Sequence, residues 1–377
     1  MIYKVLTWLS RILFGAVFIF AGFTKVIDPL GSTYKFQDYF LAFNAEWMFS
    51  LALPLAILMS SVELILGITV LLGLKMRVSA WGALLFMGFF TPLTLYIALY
   101  NPVPDCGCFG DAVVISNWET FYKNLLILAA AIVIFIRRKT FKPMWSPKKD
   151  WFIIAGIAIA VFWLSIYCLR NLPIMDFRPW KVGNNVAELV TPTEEVSETF
   201  LIYRNKETGE EKEYPADDYP WDDPEWVEKW EYVDTRTEVI QPFEEAEISN
   251  FVIVDEQGNE YTEAFINNPE PQFLLISHDL GSTKTEAYTE KINGFAEKAE
   301  KEGISFIMLT GSLFEQVEKR REEYNIHYPV YQSDPIELKT IIRSNPGLLL
   351  LKDGIVLDKW HYRNIPPFDE VKQKFDL

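Results

Sequence analysis

Five apolar runs dominate the first 170 residues: Tyr3–Ile27, Leu51–Leu74, Val78–Tyr100, Trp118–Ile136 and Trp151–Leu169. Each approaches the roughly 20 residues a helix needs to cross about 30 Å of hydrocarbon, so each predicts a membrane span. Trp47, Trp118, Trp145 and Trp151 fall near span ends, where indoles favour the interface. A cleaved signal peptide is the rival reading of the first run. Ala21-Gly22 is followed by Phe-Thr-Lys rather than a clear cleavage site, so a retained helix is expected.

The pattern changes after Leu169. Pro173 and Pro179 oppose a helix restart, and an extended segment is expected to lead off the membrane. Phe200–Tyr214 reads as a hairpin around a polar turn. Residues 215–248, rich in Asp, Glu and Trp, are expected to form a connector packed by Trp221, Trp226 and Trp230. Beyond Asn250 the pattern predicts a hairpin over Phe251–Tyr261, a strand over Phe273–Ser277 and a helix over Thr285–Glu302. A strand over Ile304–Leu309, a helix over Leu313–Tyr324, an extended Tyr328–Tyr331 and a short helix over Pro335–Ser344 follow. Two last strands turn at Lys-Asp-Gly within Pro346–Trp360. The expected units are a helical module (1–140), a fifth span (150–170), an acidic connector (171–249) and an α/β domain (250–377).

Charge sharpens this division. Residues 1–150 hold 13 Lys/Arg and 8 Asp/Glu, a net of +5, while the whole chain carries −16. The remainder is therefore strongly acidic, which argues against nucleic acid as a partner. The segment from Arg137 to Lys149 has six positive charges and no negative one, so the positive-inside rule predicts that it is cytoplasmic. Five spans then put the N-terminus on the cytoplasmic side of the membrane, which is expected to be a bacterial inner membrane. The loop after the third span and the C-terminal region lie outside, in the periplasm. Arg11 and Glu63 sit within spans, where a bare charge costs at least about 2.5–3.5 kcal/mol. They are expected either to pair with each other or to mark a polar intramembrane site. Gly15, Gly22, Gly67 and Gly73 are expected to permit close helix packing.

Two of the three cysteines stand two residues apart in Asn101-Pro-Val-Pro-Asp-Cys-Gly-Cys-Phe-Gly-Asp111, on the predicted outer face, where disulfides persist. Cys168, at the end of the fifth span, reaches the same side. Gly107 eases the bend that a Cys106–Cys108 bridge requires, and such a small strained ring would be of the oxidising kind. Three readings stay open: a redox pair with Cys168 as a resolving thiol, a structural staple involving Cys168, or spectators. Asp105 and Asp111 are expected to raise the thiol pKa values and so oppose the redox reading. The cysteines have no histidines close in sequence, so no metal site is expected.

The pattern Arg11…Gly15…Phe18…Ala21-Gly22…Lys25 with Glu63…Gly67…Gly73 resembles DoxX-type membrane proteins. Cys106-Gly-Cys-Phe-Gly110 resembles their MauE-type relatives, in the extended form of Bacteroidetes-type bacteria. The resemblance covers about residues 1–140 and implies a four-helix membrane module. It implies a link to thiol redox or to maturation of exported proteins, as in methylamine utilisation. The fifth span and the C-terminal region lie beyond that pattern. Residues 250–377 resemble a thioredoxin fold, with Asn345-Pro346 at the position of that family's cis-proline. Where a thioredoxin carries Cys-x-x-Cys this chain reads His278-Asp-Leu-Gly-Ser-Thr-Lys-Thr-Glu286, without a thiol. His278 itself is expected to be an ordinary exposed loop residue.

Thiol exchange therefore falls to Cys106 and Cys108. No cofactor motif is readable, and a quinone is the acceptor conceivable by analogy with membrane disulfide-generating enzymes. The expected partners are the lipid bilayer and exported thiol proteins. The alternative is a non-catalytic membrane scaffold whose cysteine-free domain binds a partner or client.

Overall fold

The computed structural model describes residues 2–141, 146–283 and 287–377. Trp145, part of the basic loop and the predicted helix start at Thr285 lie outside the described residues. Six helices form the first half: α1 (Ile2–Ile27), α2 (Pro29–Ala42), α3 (Ala52–Leu72), α4 (Met76–Tyr100), α5 (Asn117–Arg137) and α6 (Pro147–Arg170). All except α2 are long and apolar enough to span a membrane, and they match the five predicted spans within a few residues. The unforeseen α2 starts at Pro29, capped by Asp28, whose carboxylate accepts from the Gly31 amide at 2.9 Å.

Helices α1 and α3 touch backbone to backbone. A Cβ on Gly22 would stand 2.5 Å from the Leu64 nitrogen, and one on Gly67 would stand 2.7 Å from the Ile19 nitrogen. Only glycine allows that approach. Gly73 has a different task from the packing expected of it. It ends α3 in the left-handed conformation at φ +74°. Phe14 and Phe18 of α1, Met87 of α4 and Ala131 of α5 share one core, and Val161 on α6 packs against Val26 and Leu64 on the other side of α1 and α3.

Beyond the membrane helices, β1 (Val196–Asn205), β2 (Glu211–Pro215) and β3 (Trp230–Gln241) form an antiparallel sheet in the order β2-β1-β3. The predicted hairpin is β1-β2. The third strand, β3, lies within residues 215–248, the connector expected to be packed by its indoles. Most of β3 is solvent-exposed, so no apolar alternation marks it. Cross-strand ion pairs such as Arg236–Glu213 at 3.0 Å, and a cluster of Tyr203, Tyr214, Tyr219 and Trp226, help hold the sheet. Trp226 and Trp230 pack as expected, whereas Trp221 stays exposed.

The last unit is a five-stranded sheet in the order β6-β5-β4-β7-β8, built from Val330–Gln332, Ser305–Thr310, Gln272–Ser277, Gly347–Lys352 and Ile355–His361. Strands β4, β5 and β6 are parallel, β7 runs antiparallel to β4, and β8 runs antiparallel to β7. The helices Asn293–Lys301 and Phe368–Phe375 cover one face through Phe295 and Phe368. The Pro335–Ile341 helix and the fully buried Trp180 of the exit segment cover the other. Two parallel strands joined through a helix, followed by an antiparallel hairpin on the other side of the first strand, is the thioredoxin arrangement. The Asn345–Pro346 bond is cis. The predicted Phe251–Tyr261 hairpin reduces to the single bridge Val254–Glu260, because the Asp255 carboxylate takes the Gln257 and Asn259 amides at 2.9 and 2.8 Å. Among the described residues of the predicted Thr285–Glu302 helix, Asn293–Lys301 is α-helical, with a wider turn at Tyr288–Ile292 before it.

Candidate functional site

The loop between α4 and α5 is pinned at its start by Asn117, whose amide donates to Asn101 Oδ1 and the Val103 carbonyl, both at 3.0 Å. At its centre Asp105 folds the chain, accepting from the Gly107 amide at 2.9 Å while its other oxygen pairs with Lys35 of α2 at 2.6 Å. Gly107 sits at φ +64°, where a side chain would be strained, and a Cβ there would press on Lys35. The Tyr39 hydroxyl, also from α2, donates to the Cys106 carbonyl at 3.0 Å. These contacts set the Cys106 and Cys108 sulfurs 3.4 Å apart, as two free thiols sharing a hydrogen bond.

Both cysteines line a cavity of about 160 Å³ between α1, α2, α3, α4 and α5. Its deeper wall is apolar, with Phe18, Phe86, Met87 and Phe90, and its upper part carries Lys25, Glu63 and Lys123. That volume is close to an engineered void that accepts benzene, so it is the size of one six-membered ring. Lys123 also lies over the Phe109 ring at 4.2 Å, which holds it beside the loop.

The electrostatics single out one sulfur. The Cys108 thiol is lowered to about 5, first by the hydrogen bond shared with Cys106 and then, against its burial, by Lys123 and Lys25. The Cys106 thiol is pushed up by the same hydrogen bond and by burial. Geometry alone lets either sulfur keep the shared proton, but the two lysines favour the anion on Cys108. For Cys108 this reverses the expectation that Asp105 and Asp111 would raise the thiol, whereas Cys106 stays raised. Asp105 is paired with Lys35, and Asp111 with Arg343 at 2.5 Å.

The expected Arg11–Glu63 pair does not form. Glu63 pairs with Lys25 one helix away, inside the cavity. Arg11 instead donates to the Val70 and Leu71 carbonyls at 3.2 and 2.8 Å, satisfying the end of α3, and stacks on Trp8 and Phe141. Of the two candidates for an intramembrane polar site, Glu63 lines the cavity and Arg11 does not. Cys168 is buried in α6, outside the cavity lining, and among the described residues no hydrogen bond joins it to Cys106 or Cys108.

The thioredoxin-like domain meets the membrane module at this site. Tyr34 of α2 lies edge-on to His278 at 6.3 Å, beneath the ammonium of Lys339 at 4.7 Å. Contrary to the expected exposure, His278 is half-buried, and burial and Lys339 hold it down to about 4. The Asn345 side chain donates to the Asp279 carbonyl at 2.7 Å and to Ser282 Oγ at 3.0 Å, in the place of a redox motif. Behind this face half-buried Asp176 of the exit segment pairs with the buried Arg178 and Lys359, at 2.7 and 2.5 Å. Burial would raise its carboxyl, but the two cations outweigh burial and hold it at about 2.

Sequence reasoning missed Lys25 as the partner of Glu63, Lys123, Tyr39, Lys35 and Arg343. Only α2 had a local signal, the Asp28-Pro29 start.

Comparison with known families places this geometry. Residues 3–137 match the family model described as methylamine utilisation protein MauE, and all residues lining the cavity fall within that range. Residues 197–242, the three-stranded sheet, match a domain of unknown function (DUF8463). No curated protein matches the chain. The solution structure of a candidate protein disulfide isomerase from Bacteroides thetaiotaomicron is similar at 13% identity. It covers 34% of this chain and 84% of that one, with a TM-score of 0.27. That score is too low to bear on the fold, which rests on the strand order above. The chain is a multi-pass membrane protein, and the helical module that encloses its cysteine cavity is similar to the MauE family, whose model it matches over residues 3–137.

Proposed function

We propose that this protein exchanges disulfides with exported thiol proteins through Cys106 and Cys108, on the outer face of the bacterial inner membrane. The observation that carries the reading is the 3.4 Å approach of the two sulfurs at a cavity where Lys25 and Lys123 stabilise a Cys108 thiolate. A stabilised thiolate favours the reduced pair, so its disulfide form is oxidising. A client thiolate attacks Cys106 of that disulfide and expels Cys108, the better leaving group. A second client thiolate then attacks the mixed disulfide and releases Cys106, which takes up a proton. The client loses two electrons and gains a disulfide, and the pair gains both electrons. Re-forming the Cys106–Cys108 disulfide removes those two electrons and the Cys106 proton, and a quinone would carry both electrons off as its quinol by taking a second proton from solvent. The ring-sized cavity with apolar walls beside the cysteines supports that acceptor.

Purified protein equilibrated in glutathione redox buffers and blocked with a gel-shift maleimide tests this. A two-thiol step that Cys106→Ser abolishes is expected, and thiols that stay free at every potential would sink the proposal. A reporter fused after Leu377 should be active only outside the cytoplasm, and activity inside would overturn the proposed orientation.

A further inference from the structure

Arg343 joins parts of the chain that are remote in sequence. Its Nη2 donates to Asp111 Oδ2 at 2.5 Å, and its Nε donates to Asp28 Oδ2 at 2.9 Å. Its Nη1 is anchored on the Lys339 carbonyl at 2.5 Å, and the guanidinium lies 5.4 Å from the Tyr34 ring. The side chain is 5% exposed, so this is a buried cation between two carboxylates. Room for it comes from Gly31, where a Cβ would stand 2.8 Å from Nη2. Both carboxylates line the cysteine cavity, Asp28 from the α1–α2 corner and Asp111 from the loop, three residues after Cys108.

We infer that Arg343 is a positioning residue that clamps the cysteine loop to the α1–α2 corner, so that seating of the thioredoxin-like domain governs access to Cys106 and Cys108. The domain has no thiol of its own, and its Arg343 reaches into the membrane module at Asp111, three residues after Cys108. Without the guanidinium, the sheltered Asp28 carboxylate faces Asp111 with no cation between them, and like-charge repulsion swings the loop outward. The clamp rests on the cysteine pair being the reactive centre, as proposed above, but its test needs no redox turnover.

The test uses the full chain in lipid nanodiscs with Cys168→Ser, so that only the pair reacts. Alkylation by a small and by a polymer-linked maleimide is timed, and the pair is titrated in glutathione buffers. Arg343→Gln should speed alkylation roughly tenfold or more, most for the bulky reagent, by populating the open loop. Arg343→Lys, which keeps the charge but loses the fork, should recover part of the protection. A folded Arg343→Gln protein that reacts like its parent with both reagents overturns the clamp. So does a protein that reacts faster with both reagents in equal proportion and is not rescued by lysine, since general loosening would do that. Should Arg343→Gln not fold, Asp111→Asn leaves Arg343 on Asp28 and is read the same way. Faster, size-dependent alkylation in a protein that never forms the disulfide upholds the clamp while rejecting the redox function.

Discussion

The Tyr39 hydroxyl reaches the Cys106 carbonyl at 3.0 Å, tying a helix outside the membrane spans to the backbone of the cysteine pair. Tyr39→Phe keeps the ring in the cavity wall and removes only this bond, worth about 1 kcal/mol. The loop should loosen by that amount, and alkylation of Cys106 and Cys108 should quicken roughly fivefold. An unchanged rate would mean that Lys35 and Asn117 fix the loop without help.

The acidity of Cys108 gives a pH signature. With the thiol at about 5, the anion is full above pH 6 and is lost as pH falls through 5. Thiol alkylation should therefore be nearly flat from pH 6 to 8, where an ordinary cysteine with a pKa of about 8.5 gains reactivity steeply. Lys123→Met removes one of the stabilising cations. It should move the midpoint up by roughly one unit, lowering the rate most on the acid side. Rates that climb throughout pH 6 to 8 in the parent protein would exclude a stabilised thiolate.

The Lys25–Glu63 pair predicts a specific pattern of coupling. Breaking a buried pair by removing one partner costs about 3–5 kcal/mol, because the other charge is stranded. Lys25→Met or Glu63→Leu alone should therefore lower thermal stability severely, and the double variant should recover most of the loss. Arg11→Met combined with Glu63→Leu should be additive within about 0.5 kcal/mol. Coupling at 11–63 and none at 25–63 would contradict the geometry.

The α1–α3 contact predicts a steric effect. A methyl on Gly22 would meet the Leu64 nitrogen at 2.5 Å and its Cα at 2.6 Å, and backbone cannot turn aside as a side chain can. Gly22→Ala should push the helices apart and cost roughly 1–3 kcal/mol. Gly156→Ala on α6, where the space is open, should be neutral in the same melting experiment.

The spans were legible because 20 apolar residues leave few alternatives, and the Cys-Gly-Cys loop because cysteine is so sparse here. The strands β4, β5, β7 and β8 were legible as short apolar runs between turn signals. What escaped was whatever depends on partners remote in sequence. Glu63 could be seen to need a cation, but Arg11 and Lys25 are both on α1, and only the helix crossing decides between them. Asp105 and Asp111 read as charges hostile to a thiolate until Lys35 and Arg343 were found on them. The helix α2 is marked only by its Asp28-Pro29 start and is too short to read as a span, and β3 is exposed on both faces, so its sequence carries no alternation.

A thioredoxin-like domain that rests on its own membrane module is a tethered ligand. Its His278 and Arg343 face is already engaged by Tyr34, Asp28 and Asp111 of the same chain, held near by a short exit segment. Tethering of this kind gives effective concentrations in the millimolar range. A soluble partner that needs the same face therefore sees only the undocked fraction of molecules, and its apparent affinity falls by that fraction.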